Sequence, residues 1–241
     1  MSMIVSVCGF DGIVMAADSG ASRHIALGDI SLLFSMDKEN IQDNLSFCFA
    51  DNCEKIHLLQ NNIGVSEGGM WLAGAKQGKP GSMRPRLDHF YSTKHFDTPG
   101  EAAEALLEYT QKIAPDLKAG YHVCGYDPAD GGGPPIPRLY FVNTQDHAVT
   151  SLDRGSAGIM QNSCNQYMMP FSQMAAANLN SFNLQDTIDY AVFAIKASAM
   201  FEKFALLNSR ISGHIDVLVL TPSGAEWVSK KKLHAEGNRI C

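Results

Sequence analysis

Apolar, β-branched residues open the chain. Ile4, Val5 and Val7 lie in the run 3–8, and Ile13, Val14 and Met15 in the run 12–18. Runs apolar on both faces predict strands in a sheet covered on each side. Phe10-Asp11-Gly12 between them predicts a tight turn, because Asp-Gly tolerates positive φ. The pattern then weakens over 19–51, where Gly28, Asp29, Asp37, Asn40, Asp43 and Asn44 surround short apolar runs such as Leu32-Leu33-Phe34. That stretch reads as a long connection with room for one hairpin. Strands follow at 55–60 and 63–67, turning at Asn61-Asn62. A helix could open near Met70, but Gly74, Gly78, Pro80, Gly81 and Pro85 break it early.

The next helix carries its own start signal. Thr98 is an N-cap, Pro99 suits the first helical position, and Glu101 completes a capping box. Ala102, Leu106, Tyr109 and Ile113 share one face, and Pro115 ends the pattern. Strands are predicted at 120–125, 138–143 and 148–152, with a Gly/Pro-rich loop over 127–135. Helical periodicity returns at 165–179 and 184–206. The chain then closes with a strand at 215–220, a Pro222-Ser223-Gly224 turn and a last strand around Trp227. Strands, helix, strands, helices, strands is the order of a layered α+β protein and not of alternating βαβ units. A single domain over 1–241, with an insertion at about 19–51, is the expectation.

Composition narrows the partners. Lys+Arg number 19 and Asp+Glu 25, so the net charge is 19 − 25 = −6. With a pI near 5.7 and no basic block larger than Lys230-Lys231-Lys232, a nucleic-acid partner is not expected. Cys8, Cys48, Cys53, Cys124, Cys164 and Cys241 form no CxxC pair, which fits reduced thiols in a cytoplasmic protein. No secretory signal is read at the N-terminus. The most apolar long stretch, 190–207, contains Lys196, Glu202 and Lys203, so no membrane partner is expected either.

The first chemical clue is Ser2, a small residue behind Met1. Removal of Met1 would place a hydroxyl and a free α-amine on one residue. An α-amine has a pKa near 8, so part of it is neutral at physiological pH. It can take the hydroxyl proton and activate the oxygen for acyl attack. Two other constellations are weaker. Cys53 and His57 stand four apart but on a strand and without further ligands, and Cys8 sits inside the first strand.

The surrounding motifs carry a resemblance. Met3-Ile4-Val5-Ser6-Val7, then Asp11-Gly12 through Ala16-Ala17-Asp18-Ser19, resembles the opening of proteasome β subunits and the HslV peptidase, which are N-terminal nucleophile (Ntn) hydrolases. Glu54-Lys55-Ile56-His57, Asn62-Ile63-Gly64-Val65 and Gly68-Gly69 resemble a second block of that family. Gly120-Tyr121, Pro137-Arg138-Leu139-Tyr140 and Ser212-Gly213 resemble its later strands. The resemblance implies a four-layer α/β/β/α Ntn-hydrolase sandwich. It implies a threonine/serine-type nucleophile at Ser2, an Asp18–Lys55 pair beside it and Ser212 near its amine. It also implies Gly69 as oxyanion donor and Ser22 as a backbone partner of a bound peptide. No metal or organic cofactor is implied. The expected partners are a peptide or amide substrate and further copies of the chain in a homo-oligomeric ring, with any ATPase partner left open.

Those roles make physical sense. A buried Lys⁺ near Ser2 favours the ionised nucleophile, Asp18 offsets the cost of burying that charge, and glycine at 69 lets backbone approach substrate. Three features depart from the family pattern. Asp18 and Lys55 are 55 − 18 = 37 residues apart. The stretch Asn208-Ser209-Arg210-Ile211 lacks the acid that the family places before Ser-Gly. Ser156 and Ser163 compete for a further active-site serine. Two other functions therefore stand beside the peptidase: a ring-forming structural subunit without catalysis, and an amidase or transpeptidase of the same superfamily acting on a small amide.

Overall fold

A computed structural model describes residues 3–26, 44–69, 72–73, 81–152, 158–162, 171, 173–175, 178–206 and 211–232. Two five-stranded antiparallel sheets dominate it. The first contains β1 (Ile4–Cys8), β2 (Ile13–Asp18), β12 (Gly158–Asn162), β13 (Ile215–Thr221) and β14 (Gly224–Ser229), in the order β12-β1-β2-β13-β14. The second contains β5 (Ile56–Leu58), β6 (Gly64–Gly69), β9 (Ala119–Asp127), β10 (Ile136–Asn143) and β11 (Ala148–Leu152), in the order β11-β10-β9-β6-β5. Two smaller sheets pair β3 (Ala21–Ala26) with β4 (Asn44–Ala50) and β7 (Leu72–Ala73) with β8 (Gly81–Ser82).

β1 and β2 are buried along their whole length, as their apolar runs predict. Ile4, Cys8, Ile13, Met15 and Ala17 of the first sheet pack with Ile56, Cys124 and Leu139 of the second. The alternate residues Met3, Val5, Val7, Val14 and Ala16 pack instead on Tyr190, Ala191, Ala194 and Ile195 of helix α3 (Leu184–Leu206). The period-2 alternation of a strand thus serves two cores at once. The second sheet buries Val65, Tyr121, Val123 and Val142 against Leu87 and Phe90 of α1 (Arg84–Thr93) and Ala102, Ala103 and Leu106 of α2 (Pro99–Ile113). α2 starts on the predicted capping box: Thr98 Oγ1 accepts from Glu101 N at 3.2 Å, and Glu101 Oε2 accepts from Thr98 N at 3.3 Å.

The four-layer α/β/β/α Ntn-hydrolase sandwich is corrected here. The described residues form a mixed α+β protein of two antiparallel sheets with helices, and no four-layer Ntn sandwich is shown. The helical run expected at 165–179 lies largely outside the described residues. The two small sheets add pairings that the four-layer plan does not contain.

Three local readings also change. The broken helix near Met70 is replaced by β7 and β8, and α1 begins at Arg84. Pro85 does not break that helix, because it occupies the first turn, where a missing N–H costs nothing. The strand at 55–60 shortens to Ile56–Leu58, and the chain then turns with Asn61 at φ 58° and Asn62 at φ 56°. β12, with the mixed sequence Gly-Ile-Met-Gln-Asn, has too little alternation to be read as a strand from sequence.

Candidate functional site

Antiparallel pairing delivers the site residues to one end of the molecule. β1 runs against β2 with Ile4 opposite Ala17, so Met3 falls beside Asp18, the last residue of β2. β13 runs against β2 with Ile215 opposite Asp18, which brings the Ser212-Gly213 turn to the same end. Lys55 immediately precedes β5 and is tied to β6 through Glu67 N donating to Lys55 O at 2.9 Å.

Asp18 and Lys55 form an ion pair of 2.7 Å, with side chains 1% and 0% exposed. The surrounding backbone completes it. Asp18 Oδ1 also accepts from Met3 N at 2.8 Å, while Oδ2 accepts from Gly20 N at 3.1 Å and Ser212 N at 3.2 Å. Lys55 Nζ donates a second bond to Gly20 O at 2.6 Å. Burial lowers the Lys55 pKa from its ordinary value, and the Asp18 carboxylate opposes that shift. Two charges without water need this many partners, since a buried ion with none would cost several kcal/mol.

Gly20 lies against the pair, and Gly213 and Gly69 mark close backbone approaches elsewhere at this end. A methyl at Gly20 would overlap Ser212 Oγ. Gly213 has φ +79°, and a methyl there would overlap Ser19 Oγ and the Asp51 carbonyl. Gly69 ends β6 with φ +121°, a conformation open to glycine, and a side chain there would run 2.6 Å from Lys118 O. Beside Gly69 lies a cleft lined by Glu67, Gly68, Met83, Arg84, Leu87 and Tyr121.

The other sequence-derived candidates divide as follows. Ser2 lies outside the described residues, one position before Met3. Ser22 stands in β3 opposite Cys48, and its side chain lies outside the description. Ser212 is half-buried and bonded through its backbone to Asp18. Ser156 and Ser163 lie outside the described residues, as do 207–210. Cys8 is buried, and burial pushes its thiol up to about 11, which leaves it protonated at neutral pH. Cys53 is half-buried, with its thiol likewise raised by burial. No group of three or more His, Cys, Asp or Glu side chains suited to a metal occurs among the described residues.

Residues that sequence reasoning passed over crowd the same end. Arg84 donates through Nη2 to Glu54 Oε2 at 2.9 Å and through Nε to Asp88 Oδ1 at 2.8 Å, and its Nη1 is 4.0 Å from Glu67 Oε1. Lys230 reaches Glu54 Oε1 at 2.9 Å. Burial works to raise the Glu54 carboxyl, but Lys230 and Arg84 outweigh it and hold it below the ordinary value. Sequence could have signalled only one of these contacts, the i,i+4 spacing of Arg84 and Asp88.

The described residues thus combine a mixed α+β fold with a shielded carboxylate–ammonium pair at the strand ends. That fold is similar to solved structures. One is Anbu (ancestral beta-subunit) from Yersinia bercovieri, with a TM-score of 0.58 and 14% identity over 95% of this chain and 87% of that one. Another is the Anbu (Gly-1) mutant from Hyphomicrobium sp. strain MC1, with a TM-score of 0.60 and 13% identity over 98% of this chain and 88% of that one. No protein-family model matches the chain. No curated protein matches it by comparison. At such identities the likeness shows the fold. The resemblance to proteasome β subunits and HslV is thereby corrected to the Anbu structures. Among the described residues, no helix is long and apolar enough to cross a membrane.

Proposed function

We propose that the chain is an amidohydrolase of the N-terminal nucleophile type, cleaving peptide or amide bonds through Ser2 after removal of Met1. One observation carries this reading: Asp18 Oδ1 accepts from both Met3 N and Lys55 Nζ, at 2.8 and 2.7 Å. The carboxylate thus ties the ammonium to the residue that follows Ser2. Ser2 Oγ attacks the substrate carbonyl, and the freed α-amine takes its proton. The Lys55 charge favours the developing alkoxide, and backbone at Gly69 faces the oxyanion. Collapse breaks the C–N bond, the leaving amine takes the proton, and the acyl group remains as an ester on Ser2. Water then adds to the ester carbonyl and releases the acid. The assembly proposed is a homo-oligomeric ring in the cytoplasm, without a cofactor; any ATPase partner is open.

A second reading is a ring-forming subunit without catalysis. The stretch Asn208-Ser209-Arg210-Ile211, with no acid before Ser212, favours it. A small-amide amidase uses the same groups on another substrate, and a transpeptidase passes the acyl group from Ser2 to an amine in place of water. Intact mass after treatment with an acylating β-lactone separates enzyme from scaffold. The proposal expects loss of Met1 and one adduct on Ser2, abolished in Ser2→Ala. An intact Met1 with no adduct favours the scaffold. Light scattering reads the assembly, and a mass of one chain would remove the ring.

A further inference from the structure

Ser19 is 1% exposed and uses all its polar groups on two segments, the lead into β13 and the stretch between β4 and β5. Its N–H donates to His214 O at 2.9 Å, on the lead into β13. Its carbonyl accepts from Cys53 N at 2.8 Å, two residues before Lys55. Its hydroxyl donates to Asp51 O at 2.6 Å, just past the end of β4. The Asp51 carbonyl is shared with Lys231 Nζ at 2.5 Å, and Gly213 closes over the same contact with no room for a side chain. The chain therefore leaves Asp18, runs through the β3–β4 pair and returns to Lys55 along a path clamped at Ser19.

We infer that Ser19 is a positioning residue of the site: by holding Asp51 and Cys53 it sets where the Lys55 ammonium lies relative to Asp18. Lys55 stands only two residues beyond Cys53, so slack at the clamp passes directly to the ammonium. The hydroxyl bond is the one part of the clamp that a side-chain substitution removes cleanly, because the two backbone bonds of Ser19 survive in alanine. The clamp also ties the β3–β4 pair to the chemistry, so movement of that pair is felt at Lys55. Gly213 offers an independent handle, since a methyl there would press on both Ser19 Oγ and Asp51 O.

The inference rests on the amidohydrolase reading for its kinetic consequence, and the test keeps the two apart. Ser19→Ala and Gly213→Ala are compared with the parent for β-lactone acylation of Ser2, followed by intact mass. Exchange of the Cys53 amide is measured relative to β9 amides in the same samples. The expected result is a fall of about 100-fold in the maximal acylation rate, as ångström-scale misplacement produces. The reagent's half-saturation concentration stays unchanged, and Cys53 exchanges faster while β9 does not. A maximal rate within about twofold of the parent overturns the inference, even where exchange rises. If the parent itself fails to acylate, the amidohydrolase reading falls, and Cys53 exchange alone decides the clamp: unchanged exchange in both variants overturns it.

Discussion

Two of the buried polar pairs among the described residues handle burial in opposite ways. Between the sheets, Ser6 Oγ and His122 Nδ1 share a hydrogen bond of 3.0 Å, with both residues at most 1% exposed. At the strand ends, Asp18 and Lys55 meet at 2.7 Å and are equally hidden. The first pair stays neutral: burial drives the His122 pKa down to about 3 and the neighbouring Cys124 thiol up to about 12. The second is an ion pair met by backbone donors and an acceptor. Neutrality needs few partners and suits a place whose task is packing. Charge needs a cage, and Met3, Gly20 and Ser212 supply it here.

Breaking the charged pair is expected to have the largest effect. Lys55→Ala leaves Asp18 buried without its counter-charge, at a cost of about 3–5 kcal/mol, and should abolish acylation of Ser2. Denaturant unfolding measures the first and intact mass the second. The double variant Asp18→Asn/Lys55→Met removes both charges and should recover most of the stability but none of the activity. A loss below about 1 kcal/mol in Lys55→Ala would show that the cage, and not the charge pair, holds this end together.

The contrast also explains what the sequence disclosed. β1, β2 and α2 were legible because apolar runs and a capping box are local signals. Asp18 and Lys55 were legible only through the resemblance, since no periodicity links positions 37 residues apart. Ser6 and His122, 116 residues apart, carry no motif at all. The clamp at Ser19 was hidden for a further reason: two of its three bonds use backbone atoms, which every residue has. The four-layer plan and the proteasome β assignment failed on a different ground. Short blocks specify strand ends, not how many layers enclose them or which branch of a fold they belong to.

A smaller effect is expected at the neutral pair. Ser6→Ala removes the hydroxyl beside His122 Nδ1 and leaves a ring nitrogen buried without its partner, at about 1–3 kcal/mol. His122→Phe in the same background fills the space with an apolar ring. The double variant should be less damaged than the sum of the two single changes, because the orphaned nitrogen is gone. Strict additivity in that cycle would count against the hydrogen bond as the element joining the sheets.

The smallest effect is a change in pH dependence. His122 has a folded-state pKa of about 3, below the ordinary 6.5. Above pH 6.5 neither folded nor unfolded chain binds a proton at this position, and its stabilising contribution is complete. As the pH falls from 6.5 toward 3, the unfolded chain takes up the proton while the folded chain does not. Stability is therefore lost over that window at about 1.4 kcal/mol per pH unit and levels off once the folded state also protonates. His122→Gln keeps a polar group near Ser6 but cannot titrate. Carboxylates and the other histidines titrate alike in parent and variant, so they cancel in the difference. Lowering the pH from 7 to 5.5 should cost the parent about 1.4 kcal/mol more than the variant, read from denaturant midpoints at the two pH values. Parallel losses in the two proteins would mean that His122 accepts its proton in the folded state, and the neutral half of the comparison would then fail.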